Sequence, residues 1–241
     1  MHSINDQLVL ISGESGTGKS ASLMNLPHQE KVMYLNCEAN KRLPFRNKFQ
    51  NYSITDPYQV YEGFDFALNN PDIDIIVVDT LTFLMDMFES VYVVESSNTM
   101  AAWGHYQQFF KVLMQDKVAN SDKRVVFLAH TRTDVEEAAM EMRTSVPVKG
   151  ALKNNGVEAY FSTVVSTKKV TLKELENYQS DLLHITEDDE LLGYKHVFQT
   201  RLTKATKGER IRSPMGMFTQ QQTYMDNDVH LLMQHLHAYY N

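Results

Sequence analysis

Cysteine is almost absent from this chain: Cys37 stands alone among 241 residues. A lone cysteine excludes an internal disulfide framework and any zinc site built on cysteines, fits a reducing cytosol, and reads as a small buried apolar residue. Proline (6) and glycine (10) are sparse, and repeats and low-complexity tracts are missing, so the chain reads as an ordinary globular protein with disorder confined to loops. No apolar run approaches the roughly 18 residues that a membrane span needs. The opening MHSINDQ is neither basic nor apolar enough for a signal peptide. The expectation is a soluble, cytoplasmic protein with no membrane partner. Excess positive charge is missing too, since the formal balance is −7, which argues against a uniformly basic nucleic-acid-binding surface. The charge is nevertheless segregated. Glu174 to Glu190 holds seven acids and no Lys or Arg, whereas Lys195 to Arg212 holds six Lys or Arg against the single acid Glu209.

What is present is 43% hydrophobic residues, enough for one sizeable core, and one domain over residues 1–241 is expected. An apolar strand, Leu8 to Ser12, leads into a glycine-rich turn and then a helix that Pro27 ends or follows. A second strand runs from Val32 to Cys37, and a helical pattern from about Gln59 to Asn69 stops at Pro71. The run Ile73 to Asp79 is almost continuously apolar and β-branched, as expected of a strand covered on both faces of a parallel sheet. Helices follow around Leu81 to Val93 and Trp103 to Val118; in the second, Trp103, Tyr106, Phe110 and Leu113 recur at helical spacing and read as core. Another strand, Arg124 to Ala129, precedes a polar segment from His130 to Gly156 that is too long for an ordinary connection. Short alternating segments near Tyr160 to Val170 and Gly193 to Thr203 suggest antiparallel strands, and a helix from Asp226 to Tyr240 closes the chain. The fold class is therefore α/β: a mainly parallel central sheet flanked by helices, with C-terminal antiparallel strands and a terminal helix.

The turn Gly13, Glu14, Ser15, Gly16, Thr17, Gly18, Lys19, Ser20, followed by Ala21, matches G-x-x-x-x-G-K-S/T between an apolar strand and a helix. Glycines at 13, 16 and 18 let the backbone curl so that successive N–H groups face one anion, and a helix beginning near Lys19 adds its positive end. Lys19 is expected to reach the β- and γ-phosphates of ATP, and the Ser20 hydroxyl to ligate Mg²⁺. That ion needs a carboxylate behind it. Asp79, at the carboxyl end of the most apolar strand, is the natural residue. Hydrolysis also needs a group to orient water, and Glu38, just past the second strand, is placed for it if that strand neighbours the first.

Three segments, GESGTGKS, YLNCEAN and IIVVDTLTFL, together resemble the RecA/RadA class of P-loop ATPases, in which a catalytic Glu follows the strand after the phosphate loop. Glu38 fits that role. The stretch VVFLAHTRTD resembles the strand whose polar end senses the γ-phosphate, commonly through Asn-Gln; His130 stands in that place here and can still donate to phosphate or water. Lacking an obvious polymerisation or tail domain, the chain looks most like the small RecA-like single-strand annealing ATPases of bacteriophages. The resemblance covers roughly residues 7 to 215. It implies a DNA-stimulated ATPase of a host cytoplasm, working as a homo-oligomeric filament or ring on single-stranded DNA, with a single-strand DNA-binding protein as a further partner.

In that class two loops line a DNA groove, mapping here onto about Tyr92 to Ala102 and Thr131 to Gly156. The second carries Arg132, Arg143, Lys149 and Lys153 as DNA contacts, diluted by Asp134, Glu136, Glu137 and Glu141. The basic strand and turn Arg201 to Arg210 resembles the place from which such ATPases extend cations to a neighbour's γ-phosphate, with Lys204 and Lys207 as the fingers. Arg42, Phe45 and Arg46 mark the neighbourhood of the adenine. The leading expectation is a recombination protein that promotes annealing or strand exchange. The alternatives are a ring helicase or DNA-packaging motor, and a nucleotide-gated regulatory protein or small-molecule kinase that remodels no DNA.

Overall fold

The computed structural model describes residues 7–136 and 140–241. Glu137, counted above among the acids of the loop, and residues 1–6 of the N-terminal heptapeptide lie outside the described residues.

Among the described residues ten strands are formed: β1 (Leu8–Gly13), β2 (Val32–Asn36), β3 (Gln50–Ser53), β4 (Ile75–Asp79), β5 (Arg124–His130), β6 (Arg132–Glu136), β7 (Glu141–Ser145), β8 (Thr163–Thr171), β9 (Tyr194–Gln199) and β10 (Tyr224–Asp226). The helices are α1 (Gln59–Ala67), α2 (Leu81–Phe88), α3 (Thr99–Val112), α4 (Leu152–Asn155), α5 (Leu172–Leu175), α6 (Glu187–Leu192) and α7 (Val229–Tyr240). Eight strands make one sheet in the order β10-β9-β8-β1-β5-β4-β2-β3, and β6 and β7 form a separate hairpin. From β8 to β3 every pairing is parallel. The β8–β9 and β9–β10 pairings are antiparallel.

The alternation of side chains along a strand explains the unbroken apolar runs. Leu10, Met33, Leu35, Ile76, Val78, Val125 and Phe127 face a core shared with α1, α2 and α3. Their neighbours Val9, Ile11, Val32, Ile75, Val77, Val126 and Leu128 face a second core closed by Leu232, Met233 and Leu236 of α7. All five residues of β4 are buried, and Tyr106, Phe110 and Leu113 are buried with Trp103 packed beside them. Cys37 is buried as expected. Among the described residues no helix is long and apolar enough to cross a membrane.

Three local expectations are corrected. The phosphate loop is followed not by a full helix but by a four-residue 3₁₀ turn, Ser20–Leu23. There Ser22 Oγ donates to Lys19 O at 2.5 Å, competing with helical backbone pairing, and Pro27 leaves no room to continue. The basic segment from Arg201 to Arg210 is an irregular loop rather than a strand, meeting the sheets through the isolated bridge Thr144↔Glu209 and through side-chain contacts such as Lys207 to Glu141 of β7. Finally, β8 meets β9 antiparallel but also joins β1 in parallel, so it belongs to the central sheet. The edge strand β3, too polar to show period-two patterning, has no counterpart in the sequence reading.

Candidate functional site

β1 delivers the chain to the phosphate loop at the carboxyl edge of the parallel sheet. Gly13 passes so close to β8 that a β-carbon there would lie 2.1 Å from Thr167 Oγ1. Gly18 has φ +105, where a side chain is strained, and faces Asn227 and His196 at 2.7 and 3.2 Å from the place of its missing β-carbon. Lys19 folds back into the loop, donating to Gly13 O (3.0 Å) and Glu14 O (2.7 Å). Burial pushes its pKa down to about 8, against the attraction of Asp79. The ammonium is thus held by carbonyls in the place where phosphates would compete for it.

Asp79 ends β4 and is 1% exposed. Its Oδ2 accepts from Ser20 Oγ (3.1 Å) and Tyr34 Oη (2.6 Å). Its Oδ1 is shut from solvent with no hydrogen-bond partner among the described residues. Burial is the largest influence and raises the pKa of Asp79. An orphaned carboxylate oxygen beside a serine hydroxyl is the hard-oxygen donor set that suits Mg²⁺, so the residues present fit that ion. Tyr34, whose hydroxyl burial keeps protonated, orients the carboxylate from behind, as outer partners of metal ligands do.

Glu38 arrives by a different route from the one expected. β2 does not neighbour β1; β4 and β5 stand between them. The side chain instead reaches across the end of β4, bringing Oε1 to 3.3 Å from His130 Nε2 and 3.5 Å from Thr80 Oγ1. Oε2 accepts from Lys41 Nζ at 2.8 Å. The hydrogen bond from His130, ahead of opposing burial and of Lys41, pulls the Glu38 pKa down to about 2. His130 ends β5 beside Gly13, with its N–H on Thr82 Oγ1 (3.2 Å) and its ring edge-on to Phe83.

Lys19, Ser20, Glu38, Asp79 and His130 therefore converge on one cavity of about 430 Å³. Ser15, Gly16, Gly18 and Ala21 also line it. Gly13, Glu14 and Thr17 face a second, polar hollow behind the loop. Of the adenine neighbourhood, Arg42 lines the nucleotide cavity, whereas Phe45 packs edge-on to Phe49 and Arg46 is exposed outside the wall. The sequence reading missed four contributors: Tyr34, Lys41, His196 and Asn227. Lys41 stood three residues from Glu38, so its pairing had a local signal. No pattern in the sequence points to the other three.

The remaining candidates lie outside this cavity. Arg132 pairs with Asp134 within β6 (2.9 Å), Arg143 of β7 pairs with Glu136, and Lys149 pairs with Glu89 (2.5 Å). Lys153 is exposed with no carboxylate partner among the described residues. Lys207 donates to Glu141 Oε1 of the hairpin at 2.6 Å, while Lys204 is exposed.

Set beside known protein families, residues 5–207 match the model of one described as AAA domain (AAA_24). No curated protein matches the chain.

Proposed function

The chain belongs to this AAA domain family and is an ATPase, and we propose that it couples Mg²⁺-dependent ATP hydrolysis to single-stranded DNA, as a recombination protein promoting annealing or strand exchange. The observation that carries the reading is the His130–Glu38 contact of 3.3 Å. His130 is the last residue of β5, and only Thr131 separates it from the β6–β7 hairpin that bears Arg132 and Arg143. A strand attached to the catalytic acid at one end and to a cationic hairpin at the other supports a link between turnover and polynucleotide.

In this reading Lys19 exchanges its loop carbonyls for the β- and γ-phosphates, while loop N–H groups take the phosphate oxygens. Ser20 and Asp79 would hold Mg²⁺, which when bound would supply positive charge against the phosphate oxygens. Glu38 holds the attacking water by accepting its hydrogen. With its pKa near 2, the acid is a weak proton acceptor while His130 and Lys41 both donate to it. It becomes an effective base only when one donor leaves, and His130 is the donor joined to the hairpin. Lys204 and Lys207 complete the site of an adjoining copy, in a filament or ring.

ATP turnover measured with and without single-stranded DNA, followed by annealing and unwinding assays, tests the proposal. Stimulation together with annealing but no unwinding is expected. Turnover indifferent to DNA would sink it. A nucleotide-gated regulator that remodels no DNA is the second reading, favoured by one observation: Arg132, Arg143 and Lys149 are each already paired with a carboxylate.

A further inference from the structure

Two residues far along the chain hold carbonyls of the phosphate loop at the wall of the nucleotide cavity. His196 Nδ1 lies 2.8 Å from Thr17 O, and Asn227 Nδ2 donates to Gly18 O at 2.9 Å. A carbonyl oxygen only accepts, so His196 carries a proton on Nδ1. Both side chains come from the antiparallel extension of the sheet: His196 from the middle of β9, Asn227 from the junction of β10 with α7. Asn227 also lies beyond the family-matched segment, which ends at residue 207.

The junction is rigid. Asp226 N–H donates to Leu182 O (2.8 Å), and Asp228 caps α7 by accepting from His230 N–H (2.8 Å). The helix is anchored by the buried side chains of Leu232, Met233 and Leu236. His196 is braced edge-on by Tyr194. Gly18 admits no side chain between itself and the pair.

The consequence follows from peptide geometry. In a trans peptide the C=O and the next N–H point in opposite directions. Holding the Thr17 and Gly18 carbonyls on His196 and Asn227 therefore fixes the Gly18 and Lys19 N–H groups to point away from that pair. We propose that His196 and Asn227 are positioning residues of the ATPase, setting the Gly18 and Lys19 N–H donors against the triphosphate. The proposal rests on the phosphate-loop reading and not on DNA.

Affinities for ATP and for inorganic tripolyphosphate, both with Mg²⁺, test it in His196→Phe, His196→Asn and Asn227→Leu, alongside the thermal midpoint of each variant. His196→Phe and Asn227→Leu should each weaken both ligands by the same factor, about tenfold for one lost hydrogen bond. His196→Asn, whose amide nitrogen falls near the Nδ1 position, should stay within about twofold of the parent on the same hydrogen-bond scale. Unchanged affinities overturn the proposal. So does weakening of ATP alone, which would mean contact with the nucleoside, or equal losses in His196→Asn and His196→Phe, which would mean packing. If Asn227→Leu does not fold, the two His196 variants decide between these outcomes.

Discussion

His130 Nε2 stands 3.3 Å from Glu38 Oε1, joining the end of β5 to the segment after β2 across the end of β4. The contact holds Glu38 as a carboxylate and ties this proposed hydrolytic acid to a strand that neighbours the phosphate loop. Glu38→Gln keeps the shape and loses the capacity to take a proton. ATP binding should be retained while turnover falls by about a hundredfold or more. Hydrolysis equal to the parent's would reduce Glu38 to a structural acid. Because the His130 hydrogen bond is the largest influence lowering the Glu38 pKa, His130→Leu should raise it. The acid limb of the turnover profile then moves to higher pH, and a limb that stays in place would refute the assignment.

Asp79, the proposed Mg²⁺ ligand, is braced by Tyr34. Asp79→Asn should abolish turnover with the fold intact, since an amide cannot replace the charged oxygen that Mg²⁺ requires. Tyr34→Phe removes the 2.6 Å donor to Oδ2 and leaves the ligand in place. The Mg²⁺ concentration for half-maximal turnover should rise about tenfold or more, with little change at saturating metal. Titrating turnover against Mg²⁺ gives the answer, and an unshifted midpoint removes Tyr34 from the site.

Lys19 makes ATP binding pH-dependent with a definite sign. Its pKa in the free protein is about 8 because burial disfavours the ammonium, whereas bound phosphates favour it. Below that pH the lysine is already charged and binding is insensitive to pH. Above it, binding takes up a proton, and affinity should fall by up to about tenfold per pH unit. Calorimetry with a non-hydrolysable ATP analogue, in two buffers of different ionisation enthalpy, reports the proton directly. Lys19→Met should bind more weakly and lose this proton uptake; the same uptake in that variant would assign the proton elsewhere.

Sharing of the site between copies is tested by mixing. Lys204→Ala/Lys207→Ala should bind ATP but lose stimulation by added single-stranded DNA. A Lys19→Ala chain still carries both lysines, so combining the two variants should restore DNA-stimulated turnover at interfaces that pair the intact halves. Co-assembly without recovery would rule out cations acting in trans.

The parts of the site legible in the sequence are those whose chemistry is local. The phosphate loop is eight consecutive residues, Asp79 closes the most apolar strand, and Glu38 follows another strand by two residues. Even so, the adjacency that was to bring Glu38 into place was mistaken, because strand order across a sheet leaves no trace in local pattern. The length of the turn after Ser20 depended on Ser22 bonding back to Lys19, a choice that helix propensity does not encode. The charges of the hairpin were legible as residues but not as pairs. Which acid meets Arg143 depends on a register, Asp134↔Arg143 with Glu136↔Glu141 two positions on, that the order of charges along the chain does not reveal. His196 and Asn227 were invisible because only tertiary folding brings residues about 180 and 210 positions away against the loop.

Thr131, the single residue between β5 and β6, donates its N–H to Gly13 O at 3.1 Å. A longer linker would have slack, and its two ends could relax independently. Here there is none. The hairpin is joined to the phosphate loop through one residue and one backbone hydrogen bond, so a displacement of the Gly13 carbonyl would be passed directly to the root of the hairpin. A probe on the hairpin would therefore register movement of the loop at Gly13 without an intervening flexible tether.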